Sequence, residues 1–343
     1  MSKANNAGFT CENKLPEYYS SDIADFWQQG AFASFSGVDQ LSIEYAVFLH
    51  KTLARKCLVI SPGRCEGYLK YKELCFDWFN QGFNIFIIDH RGQGLSERVL
   101  DNRDKGYVEN FQYYIDDLAT FIETIVYPHC DVGGTINKPY ILAHSMGGAI
   151  VARYLQDYPK TIQAAVLSSP MFGFNSGAMP KVAAETVVKL AAKLNHCLSD
   201  SPWYFFGQKN YCEVAFTHNR LTHSPLRLGL FNELYSQTPA LQLGGVTIQW
   251  LTESLRALET LFSKLDQIIT PTLVIQAGSD KVVCNQAQTA FCQQLQQVQP
   301  LACASGSPLV ITGAYHELFF ERDIYRQPAL TAAAKWFEQH TPA

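Results

Sequence analysis

Short apolar runs alternate along this chain with stretches of helical period. The run Leu58 to Ile60 precedes a segment in which Tyr71, Leu74, Cys75 and Trp78 recur at i, i+3, i+4 and i+7, with Gly82 placed to stop the helix. Phe83 to Ile88 is the next run. Beyond a polar loop, Leu118, Phe121, Ile122 and Ile125 mark one face of a second helix, and the run Tyr140 to Leu142 follows. A third helix, from Gly147 to Tyr158, leads to the run Ala164 to Leu167. Runs that are apolar on both faces and alternate with helices predict an α/β fold, with a mainly parallel central sheet flanked by helices.

That rhythm breaks between Met171 and Val246. A helical segment (Val182 to Leu194), an aromatic cluster (Pro202 to Gly207) and a polar, histidine-containing stretch lie there without strand signals. The segment 171–246 reads as a largely helical cap inserted into a core made of 1–170 and 247–343. The rhythm resumes with a helix around Leu251 to Leu265, the run Leu273 to Ile275 and a helix near Ala287 to Leu295. The run Leu309 to Ile311 and a closing helix near Ala329 to His340 complete it.

Composition narrows the function classes. With 343 residues, 47% of them hydrophobic and 17% charged, the chain can bury a large core and is not a disordered array. A net charge of -4 provides no cationic excess for phosphate backbones, which argues against nucleic-acid binding. The first twenty residues lack a basic segment followed by an apolar one, and no uninterrupted apolar stretch reaches the roughly 18 residues of a membrane span. The expectation is a non-secreted, cytoplasmic protein without a transmembrane segment. Ten cysteines never approach closer than eight positions, so no C-x-x-C pair offers a zinc or redox site. They read as buried thiols, and neither a metal nor a cofactor is expected.

The chemistry centres on YILAHSMGGAI, Tyr140 to Ile150. Ser145 stands where an apolar strand passes directly into a helix, with Ala143 two positions before it and Gly147 two after. A serine on so sharp a turn needs small neighbours at both places, because they approach each other closely. A strand-to-helix turn with an incidental serine produces the same short pattern. The hydroxyl becomes a nucleophile only when a base takes its proton and a carboxylate orients that base. Asp280 follows the run Leu273 to Ile275, and His316 follows the run Leu309 to Ile311. Both leave the carboxyl ends of parallel strands, where open α/β sheets place their sites. The order Ser, Asp, His is that of an α/β-hydrolase.

An oxyanion hole completes the set. The loop after Leu58 to Ile60, SPGRCEGY, can aim the backbone N–H of Arg64 at the same point as the N–H of Met146. An ordinary Pro-Gly turn is the alternative reading of that loop. The loop IIDHRGQGLS, Ile87 to Ser96, lacks the third glycine of a dinucleotide fingerprint and is assigned a structural role beside the site.

With these residues in place, the chain resembles α/β-hydrolases of the monoacylglycerol lipase and lysophospholipase group, and within it the type-two bacterial lysophospholipases. ADFW, PGRCEGYLKY, IIDHRGQG, ILAHSMGGAI, SPMFG, LTHS and GAYHELFFE carry the resemblance from Asp25 onward, AHSMGGAI and GAYHE being specific to the group. It implies Ser145 as nucleophile, His316 as base and Asp280 as acid, in agreement with the reading above, and a cap over an acyl-binding pocket. Two departures stand out: Pro62-Gly63 where wider lipases carry His-Gly, and Ala143 where the elbow often has Gly. Neither removes a backbone donor.

The activity implied is hydrolysis of the single acyl chain of a lysophospholipid, with monoacylglycerols or other acyl esters as the alternative substrates and an inactive binding module as the remaining class. Trp203, Phe205 and Phe206 are the candidates for the acyl pocket. Lys181, Lys189 and Lys193 beside the apolar set of the cap helix fit peripheral contact with a membrane surface, and a plain cap helix packed on the core explains the same pattern. Between Met171 and Gln249, six Lys or Arg oppose four Asp or Glu, a balance of +2 that is too small to identify a phosphate headgroup.

Overall fold

The computed structural model describes residues 8–51, 55–132, 135–175 and 181–342. The first seven residues, 176–180 of the predicted cap and the side chain of Lys181 lie outside that description. Eight strands form one sheet: β1 (Ala31–Ser36), β2 (Ser42–Phe48), β3 (Lys56–Ser61), β4 (Phe83–Ile88), β5 (Tyr140–His144), β6 (Ala165–Ser168), β7 (Thr272–Ala277) and β8 (Leu309–Ile311). Their spatial order is β1-β2-β4-β3-β5-β6-β7-β8. Pairing is parallel from β4 through β8 and antiparallel at β1-β2 and β2-β4.

Alternation along the strands feeds two cores. In β4 every residue is buried. Phe86 and Ile88 enter one cluster with Val59, Ile141 and Leu167, whereas Ile85 and Ile87 enter the other with Leu58, Ile60 and Leu142. The first cluster is covered by α4 (Gln112–Phe121), α5 (Met146–Asp157), α8 (Ile248–Ser263) and α9 (Asn285–Val298), and the second by α3 (Lys72–Asn80) and α10 (Asp323–Gln339). Each such aliphatic side chain contributes roughly 1.5–3 kcal/mol by leaving water, and this double burial is why the strands read as continuous apolar runs.

The sequence reading passed over four elements: α1 (Leu15–Ser20), α2 (Asp22–Gln28), the β1-β2 hairpin, and α7 (Pro225–Gln237). It also began the last helix too late. Pro328 lies inside α10, which starts at Asp323. That first turn is held because the buried Arg326 donates to Phe319 O at 2.7 Å and to Asp77 Oδ2 at 2.6 Å. All ten cysteines are free thiols, but Cys11, Cys197 and Cys212 are exposed, so the expectation of buried thiols holds for only part of the set.

Between β6 and α8 the described residues add no strand to the sheet. They form α6 (Lys181–Leu198), longer than the expected helix, and α7. Arg227 of α7 is buried against Glu73 of α3, donating at 2.9 Å to each carboxylate oxygen, and against Asp323 at 3.0 Å. No helix among the described residues is long and apolar enough to cross a membrane.

Candidate active site

Ser145 occupies the turn between β5 and α5 with φ 51° and ψ -116°, a left-handed conformation that costs a residue with a side chain on the order of 1–3 kcal/mol. The surroundings fix it. Its N–H donates to Ser168 O at 3.0 Å, and its carbonyl accepts from Met171 N at 2.9 Å. A Cβ on Gly147 would stand 2.2 Å from Ser61 O and 2.5 Å from Pro62 O, so only glycine fits against the end of β3. The small residue demanded two positions after the serine is thus a matter of backbone meeting backbone.

Asp280 and His316 reach this turn from the ends of β7 and β8. His316 Nδ1 lies 2.7 Å from Asp280 Oδ2, and Nε2 lies 2.9 Å from Ser145 Oγ. Because a carboxylate only accepts, Nδ1 carries the hydrogen, and Nε2 is left to take the serine proton. Asp280 Oδ1 is held by the N–H groups of Val282 at 2.7 Å and Val283 at 3.1 Å. Burial alone would raise the Asp280 carboxyl, but the hydrogen bond and charge of His316, with those two N–H groups, hold it below the usual carboxylate range. His316 is 3% exposed and Ser145 8%, so the relay is shielded from bulk water yet reachable at the serine.

The loop after β3 and the first turn of α5 meet at the serine. Met146 opens α5 directly after Ser145, and Gly63 is so close that an added Cβ would stand 3.1 Å from the Cβ of Ser145. The Gly63 N–H is already committed to Glu66 Oε2 at 2.5 Å. Arg64 is the next residue, and the chain turns back after it through Cys65 at φ 62°. Gln93 Nε2 donates to the carbonyls of Gly63 at 2.7 Å and Glu66 at 2.9 Å. His90 Nε2 contacts Ser61 Oγ at 2.8 Å, and burial pushes that imidazole down to about 3. The loop Ile87 to Ser96 therefore props the segment Ser61 to Glu66 from behind.

Of the three aromatic candidates, Phe205 packs partly buried against the first core cluster, whereas Trp203 is 39% and Phe206 66% exposed. The sequence reading missed a group of ionisable residues behind Ser145 and His316: Glu66, Lys70, His144 and Glu317 are all buried. The only sequence signal was the placing of Glu66 and Lys70 four apart among glycines and tyrosines.

Comparisons with known proteins agree with this architecture. The profile of the Hydrolase_4 family, described as serine aminopeptidase, S33, matches residues 52–323. Lysophospholipase L2 of Escherichia coli K12 is 39% identical over 331 residues, covering 96% of this chain and 94% of that protein. The probable lysophospholipase L2 of Haemophilus influenzae is 30% identical, covering 92% and 94%. A solved structure of a soluble variant of Saccharomyces cerevisiae monoglyceride lipase, in complex with a substrate analog, superposes with a TM-score of 0.68 at 17% identity, covering 91% of this chain and 95% of that one. This chain has the α/β-hydrolase fold and belongs to the Hydrolase_4 (serine aminopeptidase, S33) family.

Proposed function

We propose that this protein is a serine ester hydrolase that removes the single acyl chain of a lysophospholipid through an acyl-enzyme intermediate. The observation that carries the reading is the continuous relay from Asp280 to His316 to Ser145, 2.7 and 2.9 Å long, at the carboxyl ends of parallel strands. Ser145 Oγ attacks the ester carbonyl carbon as His316 Nε2 takes its proton. The oxyanion is stabilised by the N–H groups of Arg64 and Met146. His316 then protonates the departing glycerol oxygen, and Ser145 keeps the acyl group. Water, deprotonated by His316, releases the fatty acid.

The substrate class follows from the two lysophospholipase relatives, which align over more than nine-tenths of the chain. The segment 171–246 serves as the cap. Its Leu221 carbonyl accepts from Glu317 N at 2.8 Å, its Tyr235 hydroxyl donates to Cys65 O at 2.5 Å, and its Gly244 carbonyl accepts from Arg64 Nη1 at 2.8 Å. It thus grips both the loop of the base and the oxyanion loop. Phe205, with Trp203 and Phe206 beside it, lines the path of the acyl chain. Val187, Leu190, Leu194 and Leu198 are exposed at spacings of three and four along α6, while Val188 and Ala191 turn inward. This outer stripe, with exposed Lys189 and Lys193, provides the peripheral membrane contact.

Hydrolysis of lysophosphatidylcholine, lysophosphatidylethanolamine and monoacylglycerol, compared at equal chain length for wild type and Ser145→Ala, tests the reading. Lysophospholipid turnover that vanishes in the variant supports it. A several-fold preference for monoacylglycerol assigns the protein to the alternative substrate, and turnover that survives in the variant removes Ser145 as nucleophile. Liposome co-sedimentation of Leu190→Ser/Leu194→Ser tests the membrane contact, which predicts weakened association.

A further inference from the structure

The hydrolytic steps leave unused a cluster of buried charge directly behind the triad. Lys70 Nζ bridges Glu66 Oε1 and Glu317 Oε1, 2.7 Å from each, between the rings of Phe231 and Phe320 at 4.5 and 4.6 Å. The other oxygen of Glu66 faces Gly63 N at 2.5 Å, the Tyr71 hydroxyl at 2.6 Å and His144 Nδ1 at 3.1 Å. With donors on both of its oxygens, this carboxylate has no position for a proton of its own, so His144 Nδ1 donates. His144 Nε2 faces the carbonyl oxygen of His316 at 3.3 Å. A bare Nε2 would set one lone pair against another; the contact is attractive only if Nε2 also carries a hydrogen.

We infer that His144 is held as an imidazolium whose Nε2–H fixes the backbone of His316, making it a positioning residue for the base. The two cations, Lys70 and His144, balance the two carboxylates, Glu66 and Glu317, in a buried site. A buried charge is tolerated only when paired and hydrogen-bonded, and each of these is. Burial alone would push His144 down, but the charge and hydrogen bond of Glu66, with the charge of Glu317, raise it above its ordinary value. Burial would likewise raise Glu66, yet Lys70 and His144 hold it well below the usual carboxylate range. The remaining groups facing His144 are Tyr71, through Glu66, and the ring of His316, whose centroid is 4.9 Å away and which is itself tied to Asp280. One carboxylate, Glu66, thereby references three parts of the site: the oxyanion loop through Gly63, the residue before the nucleophile, and the loop of the base.

The proposal rests on the hydrolase reading for its consequence in catalysis, but its charge assignment can be read in the resting protein. In wild type labelled with nitrogen-15 at histidine, the His144 ring nitrogens, assigned by their loss in His144→Gln, are both protonated near neutral pH. A neutral ring, with a hydrogen-free Nε2, overturns the inference whether or not a substrate is known. The kinetic arm uses the sign of the shift: the charged form is complete below the ordinary histidine value and is lost as pH rises through the raised one. kcat therefore has an alkaline limb. Glu66→Gln moves that limb to lower pH, and His144→Gln abolishes it while lowering kcat by up to about 100-fold, with KM little changed. A limb unmoved in folded Glu66→Gln overturns the positioning role, and that variant keeps the test open if His144→Gln does not fold.

Discussion

The backbone N–H of Glu317 donates to the carbonyl of Leu221 at 2.8 Å, joining the residue after His316 to the segment that interrupts the α/β rhythm. The loop that carries His316 is therefore held at Glu317 twice, by Leu221 through the backbone and by Lys70 through the side chain. Seating of that segment on the core is expected to govern activity as much as the triad itself.

Arg227 tests this seating. Its side chain is 2% exposed and forms a bidentate pair with Glu73. Removing one partner of a buried pair leaves the other uncompensated, so Arg227→Ala is expected to cost about 3–5 kcal/mol. Urea unfolding measures this, and a loss below about 1 kcal/mol would show that Arg326, 3.4 Å from the same carboxylate, suffices.

Two glycines give opposite results with the same substitution. Gly147→Ala drives a Cβ into the backbone of Ser61 and Pro62, so both activity and melting temperature fall. Gly229, exposed inside α7, has nothing within 4 Å of the same atom. Gly229→Ala is expected to add about 0.5–1 kcal/mol through helix propensity. Thermal melts of the two variants side by side decide the matter.

Asp280→Asn is expected to lower kcat on the order of 10⁴-fold, because the amide favours the wrong tautomer of His316. The pH dependence has a definite sign. A carboxyl held low in the folded state contributes stability that is present above its unfolded value of about 3.9 and is lost as pH falls through the folded value. The stability difference between wild type and Asp280→Asn should narrow on acidification below that value, and a gap that widens there would contradict the assignment.

Exposure separates the aromatic candidates. Phe206→Ala leaves the fold unchanged, since most of its ring is already in water, whereas Phe205→Ala both destabilises and, if Phe205 lines the acyl path, flattens the preference for long chains. Each methylene buried in such a path contributes roughly 0.8 kcal/mol. kcat/KM over an acyl-length series checks this, and an unchanged preference in a folded Phe205→Ala protein would take Phe205 out of the path.

Much of this architecture was legible because it is written in apolar runs. Strands β3 to β7 are buried on both faces, so they stand out against the helices between them, and Ser145 and Asp280 follow β5 and β7; His316 follows β8, a three-residue run whose Leu309 and Val310 are exposed. The β1-β2 hairpin escaped because β1 is exposed along nearly its whole length and shows no alternation. Helix α7 escaped because its apolar residues surround it rather than forming a stripe, and Pro225 and Gly229 read as breakers. The Glu66, Lys70, His144 and Glu317 cluster escaped for a different reason. Pattern shows which residues can ionise, but only the fold shows that four of them, from three distant segments, share one buried site.

The most direct test of the central claim is covalent capture of the nucleophile. Titration of the full chain with a fluorophosphonate, followed by mass spectrometry and by residual ester hydrolysis, is predicted to place one adduct per chain on Ser145 and to extinguish activity in proportion to labelling. Stoichiometric labelling at another residue, or turnover that persists once Ser145 is fully modified, would contradict the account.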